Sequence, residues 1–433
     1  MAMVTVKNNL INNNILQKEQ RADLDIESPY ATWGEFFLIL FIVIFGMFFN
    51  EILNIEFADE LFELVLLCLF FKGLFLGRLK RKCGWDVKIF FGLSIFYPLY
   101  SLTLHLNTAN AILMDLLLQM KPYIAFFSVY YLGICLSPLQ KRVLRKSILC
   151  LVFFSFITML WALGSINGVE YGLYQIYGHS SKFYSGLILL GLLYLYCSDY
   201  SLNNMLVFFV IISMGLVTLK AKMFGFFFAS IALYIFLRKG LEIRFTFKNI
   251  LLGVILLCGI LWAAREKVSF YFLGTSDSLH VLARPLLYIT SVDVLKDYFP
   301  FGSGLASFGT YASSVSYSDL YYRYELDQIW GLSPEMPEFI ADTFYPSLAQ
   351  FGILGIGLFI LFWIFIIVKL NKQKKVLGNI QIYLIGCLSI FFLGIELVAD
   401  AAFTNNRGFM VMVILALLLN ENNTATYNKL NEY

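Results

Sequence analysis

Two kinds of side chain in this 433-residue chain have the types and positions that chemistry at a membrane surface requires. One is a set of cations, Lys220, Lys222, Arg284 and Arg323, and the other is a carboxylate, Asp342. Lys220 and Lys222 stand in Thr218-Leu-Lys220-Ala-Lys222, a very short break between two apolar runs, where a charge pair has to face water or an anion. Arg284 precedes Pro285, and the spacing of Tyr288, Val292, Leu295 and Phe299 predicts an amphipathic helix over 284–299. Arg284 then lies close to the positive end of that helix, where an anion is doubly favoured. Pro300 stops the helix, and Gly302 and Gly304 make Pro-Phe-Gly-Ser-Gly a tight turn. Tyr311, Tyr317, Tyr321, Tyr322, Tyr324 and Trp330 crowd the stretch that follows. Such amphipathic rings either stack on the apolar faces of sugars or lie in the headgroup belt. Asp342, in Ile-Ala-Asp342-Thr343-Phe-Tyr, is either an N-cap or an acidic group facing an external site from a rigid element.

The elements that must position these residues are membrane helices. The chain is 59% hydrophobic and 14% charged, far from an ordinary globular domain. Its apolar segments fall at 35–53, 61–77, 88–106, 112–137, 147–164, 182–198, 204–219, 223–237, 249–264, 345–369, 379–398 and 408–420. Most approach the ~20 residues needed to cross a bilayer core, and the last is short. The expected fold is therefore an all-α polytopic integral membrane protein with about 12 transmembrane helices and a large extracytoplasmic loop between spans nine and ten. Its expected divisions are an N-terminal segment 1–34, helices 35–264, a loop 265–344, helices 345–420 and a tail 421–433. Lys220 and Lys222 argue for a break within 204–237, whereas Lys121 with Pro122 interrupts span four.

Basic residues set the orientation. Arg78, Lys80, Arg81 and Lys82, then Lys141, Arg142, Arg145 and Lys146, then Arg238, Lys239 and Arg244, then Lys369, Lys372, Lys374 and Lys375 all fall on one side. Lys7, Lys18 and Arg21 join them, so this side is expected to be cytoplasmic, with both termini inside. His105, His179, His280, Lys182, Lys220, Lys222, Arg265, Lys267, Arg284, Arg323 and Arg407 then lie at or beyond the outer face. Either they form an external anion site or they snorkel to headgroups. A net charge of +3 without a basic tail makes nucleic acid a poor partner. No CxxC or His/Cys cluster suggests a metal, and none of the seven cysteines lies in the loop. The first thirty residues lack the apolar core of a cleavable signal peptide, so the first span is expected to direct insertion.

About eighty residues, Lys267 to Phe344, without a membrane-length apolar run are more than a carrier or channel needs between helices, which points to a membrane enzyme. The order of features over about 215–360 resembles the bacterial O-antigen polymerase and O-antigen ligase superfamily. The resemblance rests on Lys220-Ala-Lys222 before a helix ending in Arg238-Lys239, and on Ala283-Arg284. It continues with Phe299-Pro300-Phe301-Gly302-Ser303-Gly304 through Ser307-Phe308, Ala341-Asp342-Thr343-Phe344-Tyr345, and Phe351-Gly352 to Gly355. Asp342-Thr343 stands where the ligases carry His-Asn, and lysines stand where the family's external turn usually has arginine. The first departure favours a polymerase.

The resemblance implies transfer of a growing glycan from a polyprenyl diphosphate carrier to another carrier-linked repeat unit, at the outer face of a bacterial cytoplasmic membrane. The product would be an O-antigen, capsule or exopolysaccharide. The implied partners are the lipid-linked oligosaccharide and membrane lipid, with room for a chain-length regulator and with no cofactor. On this reading Lys220, Lys222, Arg284 and Arg323 neutralise the diphosphate, and Asp342 is the base with His280 in reserve. Tyr288, Tyr321, Tyr322 and Trp330 bind the glycan. A ligase-type transferase is the alternative within the class, and a lipid-linked oligosaccharide flippase is the alternative outside it.

Overall fold

The structure is a computed structural model that describes residues 30–49, 58–238 and 283–431. The ninth apolar segment (249–264), His280, the start of the loop and the first 29 residues lie outside the described residues. Within them, secondary structure is helical apart from one isolated bridge between Ser333 and Met336. In chain order the helices are α1 (Trp33–Phe41, continued as a π-helix over Ile42–Phe49), α2 (Ala58–Phe75), α3 (Trp85–Leu104) and α4 (Ala109–Leu132). Next come α5 (Pro138–Leu163), α6 (Val169–Tyr177), α7 (Ser180–Tyr196), α8 (Leu202–Ser213) and α9 (Ala221–Arg238). Then follow α10 (Ala283–Asp297), α11 (Tyr311–Val315), α12 (Asp319–Arg323), α13 (Gly352–Leu377), α14 (Ile380–Glu396) and α15 (Asn406–Asn431).

Among the described residues five stretches are long and apolar enough to cross a membrane: α3, α4, α5, α9 and Tyr345–Lys375, in which a 3-10 turn runs into α13. The architecture is that of a helical, membrane-embedded protein. α15 is its axis. Every residue from Phe409 to Leu419 is buried, and α4, α7, α13 and α14 pack around it.

Two expectations about the helices need correction. Pro122 does not interrupt α4, which is continuous from Ala109 to Leu132. Its neighbour Lys121 is buried and donates to Asp59 and Glu60 of α2, each at 2.6 Å, so the intramembrane cation is matched by carboxylates. α5 starts nine residues before its apolar segment, at a Ser137–Gln140 capping box, because its basic first turns are helical too. The break between α8 and α9 falls where Lys220 and Lys222 place it. There Leu219 turns the chain with φ of 53°.

Contacts between distant segments sort the connections into two ends. At one end Arg81 donates to the Leu419 carbonyl (3.1 Å), Gln373 donates to the Leu418 and Leu419 carbonyls, and Lys141 pairs with Glu421 at 2.8 Å. Arg407 lies at the other end of α15, about 20 Å away at the usual helical rise.

The glycine-rich turn is a structural joint. Gly302 (φ 82°) sits against Gly352 (φ 60°), and a Cβ on Gly302 would stand 2.2 Å from the Gly352 nitrogen. The N–H of Gly304 goes to the Gln350 carbonyl, that of Leu305 to the Ser101 hydroxyl, that of Ala306 to Asp115, and that of Ser307 to the Gln350 side chain. With these donors committed, the turn does not hold a phosphate; it fixes the loop to the entry of α13.

Gly302→Ala is therefore expected to cause a sharp loss of folded, monodisperse protein on size-exclusion in detergent. Gly357→Ala, whose added Cβ meets nothing within 4 Å, is expected to leave the yield unchanged.

Candidate functional site

At the end of the bundle opposite Glu421, connections that are far apart in sequence bring their charges together. Lys222 opens α9, Glu396 closes α14, Asp400 lies in the following turn, and Arg407 opens α15. Glu396 is 1% exposed, so its charge requires partners from several directions. Tyr184 of α7 donates to one oxygen at 2.8 Å, while Lys222 (3.3 Å) and Arg407 (3.0 Å) donate to the other. Arg407 also holds Asp400 at 2.6 Å, and Lys222 donates to the Ala399 carbonyl at 3.3 Å.

The described loop docks onto this network. Arg284 directs its Nε (2.7 Å) and an Nη to one oxygen of Asp342. Tyr288 donates to the Val398 carbonyl at 2.8 Å, and the N–H of Phe344 donates to the Leu397 carbonyl at 3.2 Å. The Arg284–Asp342 pair thus borders the turn that carries Asp400, and Asp342 feels both Asp400 and Lys222. Burial raises the Asp342 carboxyl above its ordinary value, against the lowering pull of Arg284.

Lys220 stands on the rim, held by Glu170 of α6 at 2.5 Å, and this bond draws the Glu170 carboxyl below its usual range. His179 caps α7 beside them. Burial lowers its pKa, and the nearby Lys220 lowers it further. Positive and negative members alternate through the cluster. An anion entering it would have to take over a cation already paired with a carboxylate. Arg284 and Asp342, at 32% and 27% side-chain exposure, form the most accessible pair of the inner network.

Beside the cluster runs an apolar groove of about 310 Å³ between α3, α4 and α13. Its lining includes Tyr97, Tyr123 and Phe362 along its length, with Phe344 and Phe403 at the side nearest the charges. The rings of Phe344 and Phe403 stand 5.0 Å apart. Phe344 follows Asp342 by two residues, and Phe403 lies between Asp400 and Arg407, so groove and charges share the same two chain segments.

Arg284, Asp342, Lys220, Lys222 and Tyr288 are brought to one place. Trp330 is close by: it is largely exposed and packs edge-on against Phe339 at 5.2 Å, and Phe339 lies 6.0 Å from the Arg284 guanidinium. The other predicted residues are elsewhere. Tyr321 is fully buried, its ring stacked on Phe308 and its hydroxyl bonded to the Gly309 N–H and Ser313, so it has no face for a sugar. Arg323 donates to Tyr298, beyond the far end of α10 and about 21 Å along that helix from Arg284. Tyr322 is exposed but packs on Tyr317 in the same remote region. His280 lies outside the described residues.

Asp342 does not cap a helix. It sits in a turn, and the 3-10 turn that follows has Phe344 at its N-cap. Nor is the predicted face of α10 its buried one. Leu287, Thr290 and Val294 point into the loop core, whereas Val292 and Phe299 are exposed. The reason is that the loop has a hydrophobic cluster of its own, including Phe308, Leu320, Leu326 and Ile340, and this selects the Leu287–Val294 stripe.

Glu396, Asp400, Arg407, Glu170 and His179 were not among the predicted site residues. The available signal was their shared side: with alternating spans, all fall at the end that carries Lys220 and Lys222. Arg407→Ala would leave buried Glu396 with a weaker cation and Asp400 with none that the wild-type network provides. It is expected to destabilise the protein by about 3 kcal/mol, read as a lowered melting temperature in detergent, and Arg407→Lys should recover part of the loss.

Compared with known proteins, the chain is matched by no family model, and no curated protein matches it.

Proposed function

We propose that this protein polymerises polyprenyl-diphosphate-linked oligosaccharide repeat units at the outer face of a bacterial cytoplasmic membrane, spanning it about 12 times with both termini inside. The observation that carries this reading is the junction of the Arg284–Asp342 pair with an apolar, aromatic-lined groove. An amphiphile with a charged head and a long hydrocarbon tail matches both halves. The groove suits an isoprenoid chain, and the cations beside Phe344 and Phe403 suit its diphosphate.

In the proposed step, a hydroxyl of the acceptor sugar attacks the anomeric carbon of the donor glycan. The bond from that carbon to the diphosphate oxygen breaks, and polyprenyl diphosphate leaves with the electron pair. Arg284 and Lys222 neutralise the charge gathering on the diphosphate, and Asp342 accepts the hydroxyl proton. The ion pair gives these roles an order. When the diphosphate engages Arg284, Asp342 loses its cationic partner, and its already raised carboxyl becomes a stronger base. Trp330, exposed next to Phe339, offers a face on which a sugar ring can stack. A one-step glycan ligase would use the same groups on another acceptor. The preference for a polymerase comes from Asp342-Thr343 in the segment where the ligases it resembles carry His-Asn.

The test is the purified protein in liposomes, given one lipid-linked repeat unit and no other protein, with products separated on a gel. A ladder spaced by one repeat unit is expected. Transfer only to an added lipid acceptor would mean a ligase, and substrate crossing the bilayer unchanged would mean a carrier. Arg284→Ala should abolish the ladder at normal protein level. Asp342→Asn should slow it by about 10²–10⁴-fold, the usual worth of a positioned base. Because burial raises Asp342, the base form is lost as pH falls through a value above the ~4 of an ordinary carboxyl, so kcat/KM should rise with pH through that region. A profile that stays flat down to pH ~4 would remove Asp342 as the base.

A further inference from the structure

The opposite end of the bundle holds a larger, polar cavity of about 740 Å³, within the size range of small-ligand sites. It lies where the start of α5, the α7–α8 turn, the α13–α14 turn and α15 meet, and Lys141, Arg142, Arg145, Asp199, Asn379 and Glu421 contribute to its wall. Glu421 is about 21 Å along α15 from Arg407, so this cavity is separate from the charged cluster described above.

Most polar groups in the wall are already committed. Lys141 pairs with Glu421 at 2.8 Å and lies over the Tyr196 ring at 4.6 Å. Asn379 caps α14 by accepting from the N–H groups of Gln381 and Ile382, which closes that helix terminus to an anion. Gln381 donates to the Leu195 and Ser198 carbonyls. Arg142 and Arg145 differ. Among the described residues neither has a carboxylate within ion-pair distance, and their spacing of three places them on one face of α5. With Lys141 and Glu421 matched to each other, Asp199 is the one other carboxylate among the described wall residues, and these residues leave the cavity a positive excess.

We propose that this cavity binds a phosphate group through Arg142 and Arg145. Two neighbouring guanidinium forks match the oxygens of a phosphate, and a basic pocket among helix ends is the setting in which anionic headgroups are held. The phosphate belongs either to an anionic phospholipid of the adjacent leaflet or to a free phosphate compound. The inference does not depend on the function proposed for the other end.

Native mass spectrometry of the full-length protein, titrated in detergent with phosphatidylglycerol and separately with phosphatidylcholine, tests it. Isothermal titration with inorganic phosphate and pyrophosphate forms the second arm. One preferential phosphatidylglycerol site is expected if the source is lipid, and phosphate or pyrophosphate heat if it is free. In either case Arg142→Gln/Arg145→Gln should weaken the binding at least about tenfold, with an unchanged melting temperature. Arg142→Lys/Arg145→Lys should fall between. Arg78→Ala/Lys82→Ala removes two exposed charges at the same end but outside the cavity, and should bind as the unmodified protein does. The proposal is overturned if neither arm detects binding, if the glutamine variant binds normally, or if the Arg78/Lys82 variant loses as much.

Discussion

A carboxylate at 1% exposure inside an apolar bundle is stable only if its partners arrive with it, and Glu396 recruits them from three other helices. Tyr184 brings α7, Lys222 brings α9 and Arg407 brings α15. Moving any of these helix ends by a few ångströms would leave a charge buried without compensation. The network therefore fixes the four ends relative to one another and creates the platform on which the loop docks. Asp400, Val398 and Leu397, the residues that meet Arg407, Tyr288 and Phe344, all lie in the turn that begins one residue after Glu396.

The two ends of the molecule use charge differently. At the Glu396 end, cations and carboxylates are interleaved, so the potential outside the cluster is muted and specificity depends on which pair an incoming group can open. Arg284–Asp342 is the pair whose exposure permits exchange, and burial has already shifted its carboxyl upward. At the Glu421 end, basic side chains outnumber acidic ones, as expected of segments that meet anionic headgroups. The first arrangement leaves its charges matched within the protein, and the second leaves a positive excess in the described cavity wall.

At the Glu396 end the loop is held by close backbone packing as well as by charge. Gly302 against Gly352, with Gln350 and Asp115 taking the turn's N–H groups, anchors the far end of α10 to α13, while Arg284 and Tyr288 anchor its near end. Fixing both ends of one helix gives the Arg284 guanidinium a defined position. The aromatic groove ends at the same place because Phe344 and Phe403 belong to the segments that these anchors bring together.

Much of this was determined by the sequence alone. An apolar run of membrane length must satisfy its backbone hydrogen bonds internally in lipid, so helices at the described runs follow from composition. Lys220 and Lys222 cannot sit in mid-bilayer, so the chain breaks beside them. The types and order of Lys220, Lys222, Arg284 and Asp342 marked residues that fold to one end. What the tertiary structure decided was which charges pair and which rings are hidden. Tyr321 and Trp330 are equally good candidates as residues, and only the loop core buries one and leaves the other outside. The same core chose the Leu287–Val294 face of α10 over the stripe that periodicity favoured. Pro122 gave a local signal for a break, yet α4, packed against α2 and α15, runs on through it. Glu396 and Arg407 are eleven residues apart on different helices, and no local rule joins them; only the desolvation cost of an unpaired buried charge does so once the bundle has closed.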